Sequence, residues 1–250
     1  MDEIANKKKL LIFIPAYNVE KQILRVLKRI PIESLNEHFI HILIIEDCSK
    51  DNTIKVIDKY IGDNIEKDLI HLIKNEKNHG YGGVQKIAFK YALDNNFDFL
   101  IMLHGDGQYA PEKIPDFVSN LINDKADAVF GSRLIHPKDA LKGGMPFYKF
   151  IANRALTMLQ NLILGTKMSE FHSGYRSYNV NSLKQINFEK NTNDFHFDTE
   201  IIIQMKRLKF TIKEIPTPTF YGDEVSHLRS IPYGINVLIS TIKYKFFYKE

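Results

Sequence analysis

Short apolar runs at residues 10–14, 40–45, 69–73, 98–103 and 127–131 recur along the first half of the chain, and helical patterns separate them. Each run is strand-sized and apolar on both faces, as a strand covered on both sides of a sheet must be. Between them, Val84, Ile87, Ala88, Tyr91 and Ala92 repeat at helical spacing and bury one face, predicting a helix over 83–95. Ile54, Ile57, Tyr60 and Ile61 do the same, with Ser49 and Asp51 available as caps. Strand–helix–strand alternation of this kind predicts an α/β fold with a mainly parallel central sheet flanked by helices. In such sheets ligands sit beyond the carboxyl ends of the strands. With 250 residues, 44% hydrophobic and 26% charged, the chain can bury a sizeable core without staples.

The second half is less regular. Residues 147–164 read as an apolar helix, 195–209 as another and 211–215 as a strand. A last amphipathic helix over 233–247 places Ile235, Leu238, Ile239, Ile242 and Phe246 on one side, with Lys243, Lys245 and Lys249 near its end. A stripe at helical spacing serves a core helix, a subunit interface in a homo-oligomer or a helix lying on a membrane. The longest uncharged stretches, 155–166 and 231–242, fall short of the roughly 18–20 residues that span a bilayer. Lys7-Lys8-Lys9 precede a run that Pro15 stops, which is not the pattern of a secretion signal. The expected location is the cytoplasm, with attachment to a cytoplasmic membrane face left open.

Cys48 is the only cysteine, which excludes an internal disulfide framework and a multi-cysteine zinc site. Lys+Arg of 34 against Asp+Glu of 30 gives +4, a mild bias that suits an anionic ligand or membrane surface and does not call for nucleic acid.

Four polar clusters follow predicted strands: 15–20 (Pro-Ala-Tyr-Asn-Val-Glu), 46–53 (Glu-Asp-Cys-Ser-Lys-Asp-Asn-Thr), 75–83 with its glycines, and 104–108 (His-Gly-Asp-Gly-Gln). Any one of them is also what a strand-end turn or a helix cap looks like. Gathered on one sheet edge, their carboxylates repel unless a cation or hydrogen-bond donors compensate them. The glycine segment lacks the Gly-Lys-Ser/Thr ending of a Walker loop. Its glycines permit close approach of a ligand at the start of a helix, whose amides favour anions.

Taken in order, Pro-x-Tyr-Asn, acid-Asp-x-Ser-x-Asp-x-Thr, Asn-x-Gly-x-Gly and Asp106-Gly107-Gln108 with Pro111, Ile114 and Pro115 resemble the family 2 glycosyltransferases. Within them the chain is most similar to the dolichyl- and polyprenyl-phosphate sugar synthases. Gly131-Ser132-Arg133 and Ser173-Gly174-Tyr175-Arg176 match two further landmarks, so the resemblance runs from residue 10 to about 225. It implies a single nucleotide-diphospho-sugar transferase domain of A-type fold over 1–225, with a helical tail over 226–250 that packs on the domain, a partner or a membrane. It further implies a nucleotide-sugar donor (GDP- or UDP-sugar) and a divalent cation, Mn²⁺ or Mg²⁺. By similarity Pro15, Tyr17, Glu20, Glu46, Asp47, Gly80, Gly83 and Asp106 would hold the donor. Asp106, Gln108 and His104 are the metal candidates, because hard cations favour oxygen ligands and imidazole also ligates Mn²⁺. Arg133, Arg154 and Arg176 are the candidates for phosphate contact, since a planar fork of donors fits phosphate oxygens; a surface ion pair is the other use of such arginines.

The sequence departs from the family's usual pattern at three acids. His104 stands where an Asp is common, Glu46 replaces a common Asp, and Glu170 stands where Asp often precedes the Ser-Gly-aromatic-Arg motif. A polyprenyl- or dolichyl-phosphate acceptor is itself an anionic nucleophile and needs no enzymic base. Transfer to a hydroxyl of a growing surface glycan would need one, and Asp198 and Glu200 are then the candidates; both acids also suit the start of a helix, where the dipole favours them. The segment Tyr221 to His227 occupies the place of the family's mobile loop, where Asp223, Glu224 or His227 would complete a metal site or form an exposed turn. A non-catalytic nucleotide-sugar binding homologue is the rival that His104 favours.

Overall fold

The computed structural model describes residues 7–63, 67–218, 220–221 and 230–247. Its centre is a seven-stranded sheet of β1 (Lys9–Ala16), β2 (Phe39–Glu46), β3 (Ile70–Lys74), β4 (Phe99–Met102), β5 (Ala128–Ser132), β6 (Arg176–Asn179) and β7 (Ile212–Pro216). The spatial order is β3-β2-β1-β4-β6-β5-β7, and only β6 runs antiparallel, between β4 and β5. The five apolar runs of the first half are β1 to β5. The sequence does not predict the strand at Arg176–Asn179, because Arg-Ser-Tyr-Asn carries no apolar run.

The helices are α1 (Ile23–Leu27), α2 (Thr53–Asp63), α3 (Gly80–Asp94), α4 (Ile114–Asn123), α5 (Pro137–Lys142), α6 (Phe147–Leu164), α7 (Val180–Leu183), α8 (Phe197–Arg207) and α9 (Ser230–Phe247). They cover both faces, and the two-residue period of a strand divides the core between them. Leu10, Ile12 and Ile14 of β1 join Ile57 of α2 and Phe117 and Leu121 of α4 on one face. Leu11 and Phe13 join Val84, Ala88 and Phe89 of α3 and Ile201, Ile202 and Met205 of α8 on the other.

α6 has the bounds its sequence predicts and ends at Gly165, whose φ of +63° supplies the left-handed C-terminal turn. α9 packs against α6 and α8 and buries Val237 and Thr241. The outer sides of both helices stay open: Phe147, Ile151, Met158 and Leu162 of α6 and Ile231, Ile235, Ile239 and Ile242 of α9 are exposed. Among the described residues no helix is long and apolar enough to cross a membrane. Lys249 and residues 222–227, with Asp223, Glu224 and His227, lie outside the described residues, as do the side chains of Lys245 and Phe246.

Candidate functional site

The loops after β1, β2, β3 and β4 converge at the carboxyl edge of the sheet around a cavity of about 580 Å³. Two of them are stapled together by backbone amides and short polar side chains. Asn18, with a left-handed φ of +53°, turns the β1 loop over the β2 loop. There the Asn18 amide donates to Ser49 Oγ (2.9 Å) and the Val19 amide to Thr53 Oγ1 (2.8 Å). Glu20 takes part in the staple by accepting from the Asn52 amide (2.8 Å), and Glu46 accepts from the Ser49 amide (2.6 Å). Pro15 and Tyr17 line the cavity, whereas Glu20 and Glu46 do not. These two acids, expected against the donor, are spent on loop amides.

Asp47 lines the cavity and also builds it. Its Oδ1 accepts from Asn75 Nδ2 (2.8 Å) and the His79 amide (2.9 Å), and its Oδ2 accepts from the Gly80 amide (3.1 Å). A carboxylate from another loop thus satisfies the first amides of α3, which is why that helix begins at Gly80 rather than at residue 83. Gly80 has φ +78°, and a Cβ there would stand 2.7 Å from the carbonyl oxygen of Asn193. The close approach that these glycines were expected to give a ligand is therefore used by the chain's own 192–193 backbone. Gly80 borders the cavity and Gly83 does not.

β4 delivers His104, Asp106 and Gln108 to the same cavity. Asp106 Oδ1 accepts from the Gln108 amide (2.9 Å), while its other oxygen accepts no hydrogen bond among the described residues. The His104 ring sits edge-on to Tyr81 and Tyr109, with Nε2 at 3.4 Å from Tyr81 Oη. Burial holds His104 below the ordinary imidazole range, against the opposing pull of Asp106 and Asp198. Among the described residues no three His, Cys, Asp or Glu side chains cluster as a self-sufficient metal site. One unsatisfied carboxylate oxygen beside an imidazole nevertheless fits a hard cation that draws its remaining ligands from a diphosphate and water.

The three candidate arginines separate. Arg133 lines the cavity. Its backbone amide and Nε donate to Glu170 (2.7 and 2.8 Å), Nη2 closes on the same carboxylate, and Nη1 donates to Tyr221 Oη (3.1 Å). Burial opposes its charge, but Glu170 together with Tyr109 and Tyr221 raises it above the ordinary arginine range. Arg176 lies behind the wall: Nε, Nη1 and Nη2 donate to the carbonyls of Ser173, Asp198 and Phe171 at 2.9, 3.1 and 2.8 Å, and its plane covers the Phe130 ring. Its fork is filled by backbone and does not reach the cavity. Arg154 is exposed, lies over Phe150 at 5.7 Å and is likewise absent from the lining.

Asp198 lines the cavity with both oxygens occupied, by Tyr81 Oη (3.0 Å) and Gln85 Nε2 (2.9 Å). Glu200 accepts from the Thr192 amide (2.8 Å) and is not in the lining. Sequence reasoning missed the far wall. α6 contributes Tyr148, Lys149 and Asn153, α9 contributes Tyr233, and His172 stands between them with Nδ1 2.8 Å from Tyr233 Oη. Burial lowers His172 to about 4, so its ring is neutral at neutral pH. The polar residues Lys149 and Asn153 interrupting an apolar helix were the available signal.

Residues 11–186 match the sequence profile of the family described as glycosyl transferase family 2. A UDP-N-acetylglucosamine–dolichyl-phosphate N-acetylglucosaminyltransferase of Methanococcus voltae is 30% identical over 251 residues, covering 97% of this chain and 94% of the relative. An undecaprenyl-phosphate mannosyltransferase of Micrococcus luteus is 24% identical over 209 residues, covering 83% of this chain and 82% of the relative. Among solved structures, glucosyl-3-phosphoglycerate synthase from Mycobacterium tuberculosis, in complex with Mn²⁺, UDP and glucosyl-3-phosphoglycerate, superposes with a TM-score of 0.68 at 15% identity. The match covers 96% of this chain and 81% of that one, and it shows the fold.

Proposed function

The chain belongs to glycosyl transferase family 2, and we propose that it moves a sugar from a UDP- or GDP-sugar to a polyprenyl or dolichyl phosphate, with a divalent cation and inversion at the anomeric carbon. The relatives named for dolichyl and undecaprenyl phosphate support the acceptor class. The observation that carries the reading is the double role of α6. Lys149, Ala152, Asn153 and Leu156 line the cavity, while Phe147, Ile151, Met158 and Leu162 on the same helix are exposed and apolar. A lipid phosphate has a head that suits the first set and a chain that suits the second, so the helix is also the proposed contact with a membrane surface.

In this reading an oxygen of the acceptor phosphate attacks the anomeric carbon as the bond from that carbon to the diphosphate breaks, and the nucleoside diphosphate leaves with the electron pair. The phosphate is already anionic, so no proton has to be removed by the protein. Asp106 and His104 would hold the cation, which neutralises charge on the departing diphosphate. Tyr17 and Asp47 would stand on the donor side and Lys149 would bring positive charge to the phosphates, with Arg133, its charge paired to Glu170, bordering the same space. Asp198, whose oxygens already accept from Tyr81 and Gln85, is poorly placed to act as a base toward a hydroxyl. The test is transfer from radiolabelled nucleotide sugars to dolichyl phosphate or to an oligosaccharide. Label extracted into organic solvent is expected; label found only on the oligosaccharide would overturn the acceptor assignment.

A further inference from the structure

The hydrogen bonds around the Tyr81 hydroxyl have a single consistent arrangement. Its hydroxyl lies 3.0 Å from Asp198 Oδ2 and 3.4 Å from His104 Nε2. A carboxylate only accepts, so the one hydroxyl proton points to Asp198. Asp198 is fixed in that role by Gln85 Nε2 at 2.9 Å and by Arg176 Nε at 3.5 Å. The Tyr81 oxygen is then an acceptor toward His104. An unprotonated Nε2 would set two lone pairs against each other, whereas a protonated Nε2 completes the chain.

We infer that Tyr81 is a positioning residue that, with its own proton committed to Asp198, fixes a proton on His104 Nε2 and so makes Nδ1 the ring nitrogen open to a ligand. The surroundings lock the ring as well as the proton. A Cβ at Gly174 would stand 2.5 Å from both Cε1 and Nε2, so the Nε2 edge is wedged between Gly174 and Tyr81. Nδ1 makes no hydrogen bond among the described residues, and His104 itself borders the cavity. A lone pair is what a cation requires of imidazole, and a hydrogen bond on the opposite ring nitrogen is the usual way a protein fixes it. That use of the lone pair rests on the cation site proposed above; the tautomer does not.

The experiment is long-range ¹H–¹⁵N NMR on histidine-labelled full-length protein at neutral pH without metal, with the His104 signals assigned by their loss in His104→Gln. The wild type is expected to show His104 as the Nε2–H form, and Tyr81→Phe, which keeps the aromatic ring, is expected to move it toward the Nδ1–H form. A wild-type His104 protonated at Nδ1, or a tautomer unchanged in Tyr81→Phe, would overturn the inference. Mn²⁺ binding in the presence of UDP, followed by electron paramagnetic resonance, supplies the second readout. Tyr81→Phe is expected to weaken it by roughly ten- to a hundredfold, the usual effect of losing a ligand's outer partner. If His104→Gln binds Mn²⁺ as tightly as wild type, the cation assignment fails while the tautomer result stands.

Discussion

Replacing Glu170 by alanine should cost more stability than any other single change at the cavity wall. The Glu170 side chain is fully buried and that of Arg133 is 6% exposed. Glu170 accepts from the Arg133 amide and guanidinium and from Asn153 Nδ2 at 2.7 Å. Removing the carboxylate leaves a cation stranded in the interior, a change that costs about 3–5 kcal/mol. For a chain of this length each kcal/mol lowers the melting temperature by about 2–4 °C, so Glu170→Ala should melt roughly 6–20 °C below wild type. Equilibrium unfolding in urea measures the loss directly. Removing the charge together with its partner, in Arg133→Met/Glu170→Leu, should return much of it, since an apolar pair of similar volume is often as stable as a buried ion pair. A loss below about 1 kcal/mol in the single variant would refute the claim that this pair is dry and mutually dependent.

Gly174→Ala forces a methyl group to within 2.5 Å of the His104 ring and 3.0 Å of Tyr81 Oη, and should cost about 1–3 kcal/mol in urea unfolding while displacing His104 from the cavity wall. For His172, the unfolded chain binds a proton below about pH 6.5 and the folded chain only near pH 4. The stability its burial contributes is therefore present above pH 6.5, falls as pH drops through that window and is lost by about pH 4, at most on the order of 3 kcal/mol. Melting curves of His172→Gln between pH 7 and 4 should be correspondingly flatter than those of wild type. Met158→Glu with Leu162→Glu changes two exposed side chains, so unfolding should move by no more than about 0.5 kcal/mol per site. Its sedimentation with anionic vesicles should fall clearly below that of wild type.

The legible part of this molecule was the part governed by periodicity. β1, β2, β4 and β5 are largely buried and so appear as apolar runs, and the half-buried edge strand β3 shows a similar run broken by His71. Topology then dictates that the loops carrying Tyr17, Asp47, Gly80 and Asp106 meet at one edge. β6 escaped because its buried positions, Arg176, Ser177 and Tyr178, all carry polar groups and form no apolar run; of these, Ser177 Oγ bonds within the sheet, to the Val129 carbonyl at 3.1 Å. The acids were readable as a set and not one by one. Glu46 and Glu200 close on loop amides and Asp106 borders the cavity, but a carboxylate in a polar loop has the same local signature in each case. Arg176 shows the same limit: a fork of donors that suits phosphate also suits three carbonyls, and only the antiparallel strand that carries it decides between them. The far wall, with Lys149, His172 and Tyr233, comes from tertiary packing of α6 and α9, which no local pattern encodes.

In the proposed function the cavity at the strand ends holds a nucleoside diphosphate through a cation on Asp106. Isothermal titration of UDP and GDP into wild type and Asp106→Asn, with Mn²⁺ and with EDTA, tests it directly. One of the nucleotides should bind wild type only when Mn²⁺ is present, and Asp106→Asn should weaken that binding by at least about tenfold. Equal binding with EDTA, or an unaltered affinity in Asp106→Asn, would contradict it.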